Sequence, residues 1–494
     1  MHVKLFLSLL TALSSALVTS AATASQWKNR TIYQIVTDRF ATTGAQSSCN
    51  LDARQYCGGN LRGIIQKLDY IQGMGFDAIW ISPVVSNTDL QGQTGYHGYW
   101  SKDIYSINPH FGTADDLKAL SSALHSRGML LMVDVVANHM GPQDKGASTG
   151  TSQYTSLYTP FSDPSHYHNF CTITNYNDQN NVEQCWLGSS PQDGLPDLNT
   201  ENPAVVNLWN SWIKGLVSNY TVDGIRIDTV KHVRKDFWPG FVSSAGVYSI
   251  GEVFQGDPAY VGPYQQVMDG LLNYPLYYPL TRAFQKTNQG FNELINMVNS
   301  IRTNFKDPMA LGNFLENQDN PRFPSITSDT ALNTNAITYV LTGDGIPIIY
   351  YGEEQRYAGG NDPYNREALW GSGYPTNSPL YVHIQKVNKL RKKVQSASDA
   401  PLSTPLTSLY NSSNAWAFKK GNMLVVLSSA GQNSGTQTVS ISSSSLPVTQ
   451  MTDILSCSTF NVNSGGSISV TLNKGLPAVL YPTSGLGGSG LCGR

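Results

Sequence analysis

DGIRIDTVKH, residues 223–232, is an apolar stretch that breaks into Asp, Lys and His, and three other segments follow the same pattern. These are DVVANH (134–139), GEVFQGD (251–257) and FLENQDNPRF (314–323). In a parallel α/β barrel, a strand that ends in this way places polar side chains at the carboxyl rim, where active sites lie. The four segments therefore predict an α/β chain whose main body is a (β/α)8 TIM barrel.

Strand-like and helix-like segments alternate from about residue 31 to residue 397, as such a barrel requires. Eight strands are predicted, and they begin near Thr31, Asp77, Leu130, Gly224, Val247, Leu271, Leu311 and Ile346. Helical periodicity falls between most of them, for example over residues 61–75 and 115–128. The number of strands agrees with a closed barrel.

Two regions depart from this alternation. Between His139 and about Asn202 lie roughly sixty residues rich in Gly, Ser, Thr, Asp and Asn, and so long a loop predicts a small domain inserted after the third strand. After about residue 403, short alternating runs predict an antiparallel β-sandwich. The predicted parts are a signal peptide (1–24), the barrel (25–139 and 202–402), the inserted domain B (140–201) and the C-terminal β-sandwich (403–494).

Three carboxylates of the quoted segments stand out: Asp228, Glu252 and Asp319. Arg226 precedes the first by two positions, so it faces the same side of its strand. Hydrolysis of a glycosidic bond with retention needs two carboxyl groups about 5 Å apart, and a guanidinium keeps a neighbouring carboxylate ionised. A buried ion pair is the plain structural interpretation of Asp228 and Arg226, but Glu252 and Asp319 favour an active site for sugars.

Composition and the N-terminus limit the other possibilities. Charged residues make up 13% of the chain and the net charge is −2, so a nucleic-acid partner has no electrostatic basis. Lys4, the apolar residues 5–18 and the small residues 22–24 are typical of a signal peptide. The apolar stretch is too short for a membrane span. We therefore predict a secreted, extracellular protein without a membrane partner.

Six cysteines agree with an oxidising destination, although fifteen pairings are possible in principle. Short loops favour two of the pairs and leave the third. The pairs predicted in this way are Cys49–Cys57, Cys171–Cys185 and Cys457–Cys492. Asparagine sequons, which can carry glycans if they are exposed, occur at Asn29, Asn219 and Asn411.

The four segments, in this order and spacing, resemble the conserved regions of the α-amylase family of glycoside hydrolases. The similarity spans nearly the whole mature chain and is nearest to secreted fungal α-amylases. It implies an endo-acting hydrolase of internal α-1,4 bonds in starch and malto-oligosaccharides, acting with retention through a covalent glycosyl-enzyme intermediate, and a monomer. The match implies Asp228 as the nucleophile, Glu252 as the general acid/base and Asp319 as the residue that stabilises the transition state.

The same resemblance implies a set of sugar-binding residues. A tyrosine of GYHGYW (95–100) would stack on the glucose at the cleavage point, His139 would hydrogen-bond it, and Lys231 would lie on the leaving-group side. The full set is Tyr96, His97, Tyr99, Trp100, His139, Arg226, Lys231, His232, Gln318, Asp362 and Arg366. The fungal pattern also implies the same three disulfides, and a fourth that Gly262 removes here.

Calcium is the cofactor that the resemblance implies. Ca²⁺ takes six to eight oxygens, including carboxylates and backbone carbonyls. The ligands implied are the side chains of Asn138 and Asp197 and the backbone carbonyls of Glu183 and His232. The run HYH (166–168) lacks an evident third ligand for a transition metal, so we expect solvated loop histidines there.

The chain departs from the family at two positions. Fungal amylases usually carry a histidine where this chain has Gln318, and Gln255 stands where an acidic residue is common. An amide cannot become charged, and charge-assisted hydrogen bonds are about twice as strong as neutral ones. The alternatives are a 4-α-glucanotransferase on the same fold and an inactive glucan-binding protein. The retained His139 and the lack of an apolar C-terminal tail favour hydrolysis, and the three intact carboxylates argue against an inactive protein.

Overall fold

Eight parallel strands close into a barrel in the computed structural model, which describes residues 22–44, 48–90, 92–142, 155–190, 193–396, 402–443 and 448–494. The strands are β1 Ile32–Ile35, β2 Ala78–Ile81, β3 Leu130–Val135, β4 Gly224–Ile227, β5 Tyr248–Gly251, β6 Gly270–Leu271, β7 Gly312–Asn313 and β8 Ile346–Tyr350. Their order is β6-β5-β4-β3-β2-β1-β8-β7, and a bridge between Leu272 and Gly312 joins the two outer strands. The predicted TIM barrel is confirmed.

Alternate residues of the strands fill the barrel, because successive side chains of a strand point to opposite faces. The inward cluster includes Ile32, Ala78, Trp80, Met132, Tyr248, Ile250, Ile346 and Ile348. The same alternation, continued towards the carboxyl ends, turns Gln34, Asp134, Arg226, Asp228 and Glu252 to the barrel axis. The inward face of these strands therefore carries apolar residues inside the barrel and polar residues at the carboxyl end.

Helices cover the outside of the barrel. Their bounds are α1 Leu61–Gln66, α2 Leu68–Gly73, α3 Ala114–His125, α4 Pro203–Tyr220, α5 Trp238–Ala245, α6 Tyr274–Phe284, α7 Asn292–Asn304, α8 Thr330–Thr342 and α9 Pro379–Gln395. Local sequence sets where they begin: a capping box joins Thr113 and Asp116 before α3, and Asn202 caps α4 ahead of Pro203. No helix in the described ranges is both long and apolar enough to cross a membrane.

The segment between β3 and α4 forms the predicted insertion. Its described residues contain a short helix, Gln179–Gln184, and isolated bridges such as Thr172–Trp186 and Leu187–Leu195. The bridge between His139 and Asp197 returns its end to the barrel rim. The exact boundaries of the inserted and C-terminal domains stay predictions, and most of the predicted signal peptide lies outside the described residues.

The C-terminal part is built of two antiparallel layers of unequal size. Its strands are β9 Thr407–Asn411, β10 Ala415–Lys420, β11 Met423–Ser428, β12 Thr436–Ile441, β13 Gln450–Asp453, β14 Thr459–Asn461, β15 Ile468–Asn473 and β16 Ala478–Pro482. A six-stranded sheet has the order β9-β10-β11-β16-β13-β14, and β12 pairs with β15. Trp416 packs on Tyr339 of α8, with ring centroids 5.6 Å apart, so this layer closes against the barrel helices.

Candidate active site

The catalytic candidates lie at the carboxyl ends of adjacent barrel strands. Asp228 follows β4 directly and Glu252 follows β5. Asp228 N donates to Val135 O at 2.9 Å, and Glu252 N donates to Ile227 O at 2.8 Å, so the sheet hydrogen bonds extend to both residues. The two carboxylates are thus positioned by rigid strands and not by a mobile loop.

One buried guanidinium joins the carboxylates of the site. Arg226 Nη1 donates to Asp228 Oδ1 at 2.7 Å and to Asp134 Oδ1 at 2.9 Å. Arg226 Nη2 lies 3.1 Å from Glu252 Oε2, and Thr229 N donates to the same oxygen at 3.0 Å. Because Arg226 has no exposed surface, these interactions act in a region of low dielectric, where they are strong.

Asp319 lies on the loop that follows β7, and this loop is held by side-chain amides. Asn365 Nδ2 donates to the carbonyl oxygens of Asn317 at 3.3 Å and Gln318 at 2.9 Å. Asn317 Oδ1 accepts a hydrogen bond from Asp319 N at 2.9 Å. Arg366 Nη2 is 3.5 Å from Asp319 Oδ1. The third carboxylate is therefore fixed at the same rim as the other two.

Burial raises the pKa values of Asp228, Asp319 and Asp134. It is the largest cause of an Asp228 pKa well above the usual value; Glu252 and Asp134 add to the rise, and Arg226 opposes it. Burial and the Glu252 carboxylate raise the pKa of Asp319 to about 6. Burial raises the pKa of Asp134 to about 6 against the effect of Arg226. These three carboxyl groups are therefore harder to ionise than free ones, although Arg226 favours their charged form.

A cavity of about 300 Å³ opens over Asp228 and Asp319. Among its walls are the predicted residues Tyr96, His97, Tyr99, Trp100, His139, Asp362 and Arg366. Burial lowers the pKa of His97 well below its usual value and that of His139 to about 4, so both rings are neutral hydrogen-bonding groups near pH 7. The structure brings these seven residues together as one wall.

A second cavity, of about 520 Å³, shares Asp228 and Asp319 with the first and continues past Glu252. Its wall includes Tyr176, Leu187, Thr229, Lys231, His232 and Phe254. Tyr176 and Phe254 are 57% and 43% exposed, which suits stacking against sugar rings. Because the cavities meet at the carboxylates, a chain of sugars can cross the site with units on either side.

Two of the predicted substrate residues lie beneath the cavity wall. Arg226 has no exposed surface, and Gln318 is 2% exposed. Gln318 Nε2 donates to Tyr99 Oη at 2.9 Å, and Gln318 Oε1 accepts from Gln34 Nε2 at 2.5 Å. Gln318 thus acts on the cavity through the ring of Tyr99.

Three of the predicted calcium ligands converge between β3 and the inserted segment. The terminal amide group of Asn138 lies 3.2 Å from Asp197 Oδ1 and 3.0 Å from the carbonyl oxygen of His232, and its nitrogen can donate to both. With the amide turned the other way, its oxygen, Asp197 Oδ1 and the His232 carbonyl would present three oxygens to a cation. Burial raises the pKa of Asp197 to about 7, and a bound cation would keep this carboxylate ionised.

The fourth predicted ligand comes from the helix Gln179–Gln184. Gln179 Nε2 donates to Lys231 O at 2.9 Å and to Glu183 Oε1 at 2.6 Å, which holds this helix beside His232. No group of three His, Cys, Asp or Glu side chains suited to a metal occurs in the described part of the chain. The donor set present, carboxylate, amide and backbone carbonyls, is the set that Ca²⁺ prefers, so the residues fit this ion.

His168 differs from the expected solvated loop histidine. Its Nδ1 lies 2.6 Å from Asp197 Oδ2 and its Nε2 lies 2.7 Å from Glu201 Oε2. Although burial opposes a charge, these two carboxylates raise the pKa of His168 to about 9. A charged His168 therefore orients the oxygen of Asp197 that faces away from Asn138. The HYH run alone held no signal for this, because both partners lie about thirty positions away.

The covalent and surface features follow the sequence predictions. The structure forms the three predicted disulfides, Cys49–Cys57, Cys171–Cys185 and Cys457–Cys492. At Gly262 an added Cβ would lie 2.2 Å from Asn304 O, so this position tolerates neither the fourth disulfide nor another side chain without a backbone shift. The sequon residues Asn29, Asn219 and Asn411 are exposed, which leaves glycosylation there a prediction.

Some residues of the site were not singled out from the sequence. Asp134 stands in a quoted segment, but its ion pair with Arg226 became evident only from the pairing of β3 with β4. Arg54 forms an ion pair with Asp362, 308 positions away, and lines the first cavity. A glutamine inside the buried run IYQI (32–35) was the one local signal for Gln34.

Comparisons with known proteins agree on one family. The family model "Alpha amylase, catalytic domain" matches residues 34–403, and "Alpha-amylase, domain C" matches residues 408–494. Alpha-amylase 2 of Schwanniomyces occidentalis is 49% identical over 96% of this chain and 94% of its own length. The alpha-amylase of Saccharomycopsis fibuligera is 48% identical over 93% of this chain and 92% of its own. The solved alpha-amylase of Malbranchea cinnamomea superposes with a TM-score of 0.92 at 48% identity, over 95% of this chain and 100% of its own.

Proposed function

This chain belongs to the α-amylase family of glycoside hydrolases and hydrolyses starch, and we propose that it cuts internal α-1,4 bonds with retention of configuration. The observation that carries this proposal is the contact of one guanidinium, that of Arg226, with both Asp228 and Glu252 where the two cavities meet. Substrate units on both sides of the carboxylates support cleavage within a chain and not only at its end.

In the first step, Asp228 attacks the anomeric carbon while Glu252 protonates the departing oxygen. Arg226 binds Asp228 Oδ1, so we assign attack to Oδ2. Glu252 Oε2 accepts from Thr229 N and faces Arg226, so we assign the transferred proton to Oε1. The C1–O4 bond breaks, the free O4 hydroxyl leaves, and a glycosyl ester on Asp228 remains.

In the second step, water enters on the leaving-group side. The Glu252 carboxylate takes a proton from this water as its oxygen bonds to C1, and the bond to Asp228 breaks. Both groups return to their starting states. Two displacements at C1 restore the α configuration, and carboxyl groups bound to neighbouring nitrogens of one guanidinium suit the short separation that retention needs.

The product profile from maltopentaose tests the proposed activity. Hydrolysis predicts shorter sugars only, dominated by maltose and maltotriose, when products are followed by chromatography over time. Early products longer than five glucose units would mean that a glucanotransferase describes the chain better. If no product forms, the alternative of an inactive glucan-binding protein would describe the chain better.

Removing one charge from the cluster is expected to extend activity to lower pH. The Asp134 carboxylate raises the pKa of both Asp228 and Asp319, so Asp134→Asn lowers both. Because Asp228 must be ionised to attack, its protonation limits activity on the acid side, and the acid limb of kcat/KM should move to lower pH. The maximal rate falls because Arg226 loses an anchor. A pH–rate profile measures the shift, and an acid limb that moves to higher pH would contradict it.

We also propose that Ca²⁺ is held by the side chains of Asn138 and Asp197 and by the carbonyls of Glu183 and His232. The approach of the Asn138 amide to Asp197 Oδ1 and to the His232 carbonyl, within 3.2 Å of each, supports this. A bound cation would supply charge that ties the inserted segment to the rim beside Asp228. The residues themselves already approach one another, since Leu198 N donates to Asn138 O at 2.9 Å.

Calcium removal is expected to lower thermal stability. A ligand present at a thousand times its Kd stabilises the folded state by about 4 kcal/mol, so EGTA should lower the unfolding temperature and added CaCl₂ should restore it. Asp197→Asn should abolish this response. Asp193→Asn, in an exposed part of the same segment, serves as the control that keeps it. An unfolding temperature that ignores EGTA in the unmodified protein would sink the proposal.

Gln318→His is expected to raise the hydrolytic rate on short oligosaccharides. An imidazole can carry charge and so give Tyr99 Oη a stronger hydrogen bond, and a gain of about 1–3 kcal/mol in the transition state corresponds to roughly a ten- to hundredfold rate. Gln34 Nε2, now bonded to Gln318 Oε1, can donate to one ring nitrogen of the new side chain. Steady-state kinetics on maltotriose measure the effect. An unchanged rate would show that this position matters little in this scaffold.

We propose that the chain acts outside the cell. Three disulfides, three exposed sequons and the signal-peptide pattern of residues 1–24 support secretion. Starch and malto-oligosaccharides are the partners, and a monomer is the proposed state.

A further inference from the structure

Gln34 is a buried amide in the middle of a barrel strand. It lies on β1, is 2% exposed, and shares its register with Trp80 on β2 and Tyr350 on β8. The preceding inward residue of this strand, Ile32, belongs to the apolar cluster that fills the barrel. Burying an amide at such a place is unfavourable unless it is hydrogen-bonded. Its position therefore calls for a partner, and the partner is part of the active site.

A chain of hydrogen bonds leads from Gln34 to the wall of the first cavity. Gln34 Nε2 donates to Gln318 Oε1 at 2.5 Å, and Gln318 Nε2 donates to Tyr99 Oη at 2.9 Å. Tyr99 Oη in turn donates to Asp134 Oδ2 at 2.8 Å. Asp134 is bound by Arg226, so the chain ends at the cation that holds the catalytic carboxylates.

The direction of these bonds is determined by the groups themselves. Asp134 receives hydrogen bonds from Arg226 and Trp80 and acts as an acceptor, so the one hydroxyl hydrogen of Tyr99 points to it. Tyr99 Oη can then only accept from Gln318, which must present its NH₂ group. A turned amide would place Gln318 Oε1 against Tyr99 Oη. That orientation would bring Gln318 Nε2 against Gln34 Nε2 unless Gln34, whose own Oε1 has no hydrogen-bond partner, turned as well. Tyr99 and Gln34 therefore hold the amide of Gln318 from its two ends.

We propose that Gln34 is a positioning residue that holds the ring of Tyr99 against the donor-side glucose by fixing the amide of Gln318. Tyr99 lines the first cavity beside Asp228, whereas Gln318 is 2% exposed and is not among the residues that line this cavity. The backbone of Gln318 is fixed independently, by Asn365 and by Arg366 Nε at 3.0 Å from its carbonyl oxygen. The backbone contacts leave the side-chain amide of Gln318 free to rotate, and the hydrogen bond from Gln34 Nε2 restricts this rotation. This inference rests on the proposed hydrolysis of α-1,4 bonds.

A double-mutant cycle tests this role. Methionine matches glutamine in length without a polar end, so Gln34→Met, Gln318→Met and the double variant remove one or both partners of the first bond. We expect each single variant to lose about tenfold in kcat/KM on maltopentaose, mainly in kcat, because a misplaced ring fails in the transition state. If Gln34 acts through Gln318, kcat/KM of the double variant should be no lower than that of the less active single variant. A double loss equal to the product of the single losses would overturn the proposal.

Controls separate positioning from folding and from the proposed function. Asn333→Leu removes another fully buried amide, on α8 away from the cavities, and should leave kcat/KM unchanged. Should Gln34→Met not fold, Gln34→Asn keeps the amide but withdraws the donor by one methylene, and it should show the same loss at an unchanged unfolding temperature. An unmodified protein that makes no shorter sugars would refute the proposed function instead, whereas an active one with Gln34 variants within twofold would refute this inference alone.

Discussion

Glu252→Gln is expected to lower kcat on maltopentaose by about 10²- to 10⁴-fold, the range that general acid–base catalysis contributes. The amide keeps the size of the side chain and an oxygen for the hydrogen bond from Thr229 N, which lies 3.0 Å from Glu252 Oε2. It cannot give a proton to the departing oxygen or take one from water. The unfolding temperature should change little, so the loss belongs to the chemistry.

A second substrate distinguishes the role of Glu252 from mere damage to the site. A maltosyl fluoride has a leaving group that departs without protonation, so the Glu252→Gln variant should retain its first step on that substrate. Glu293→Gln makes the same chemical change on the exposed surface of α7 and should keep full activity. An equal loss on both substrates would show that Glu252 is not the general acid.

Arg226→Met is expected to abolish activity and to lower the free energy of unfolding by about 3–5 kcal/mol, the range for removing one partner of a buried ion pair. Arg226 compensates Asp134, Asp228 and Glu252 from a position with no exposed surface. Without it, these carboxylates remain buried without their shared cation. Urea denaturation of the variant and the unmodified protein measures the difference.

The loss of stability in Arg226→Met should depend on pH in a defined direction. Protonated carboxyls need no cation, and burial already raises the pKa of Asp134 to about 6. The difference in stability should therefore shrink below about pH 5 and be fully developed at pH 8. Arg282→Met removes an exposed arginine paired with Glu293, which should cost less than about 1 kcal/mol at either pH. A larger loss at low pH than at high pH would contradict this description of the cluster.

The barrel and the place of Asp228 and Glu252 at its rim could be predicted from the sequence because their signals are local. Asp228 and Glu252 each follow a short apolar run whose alternation sets the direction of the side chain. Arg226 stands two positions before Asp228, so its shared face was equally evident. In each case a few adjacent residues are enough to predict where the side chain lies.

The supporting contacts could not be predicted because they join distant parts of the chain. The hydrogen bond between Gln34 and Gln318 spans 284 positions. It forms only when the folded barrel places β1 and β7 on either side of β8. The proposed calcium ligands include backbone carbonyls, which have no side-chain signature. His168 was expected to be solvated, but its two carboxylate partners come from the other end of the inserted segment.

The anomeric configuration of the first product tests the central claim most directly. Proton NMR during the first minutes of maltopentaose cleavage distinguishes the α from the β anomer before they equilibrate. Attack by Asp228 followed by attack of water predicts that the α anomer forms first and the β anomer grows in by mutarotation. A β anomer at the outset would mean a single displacement by water, and Asp228 could not then be the nucleophile.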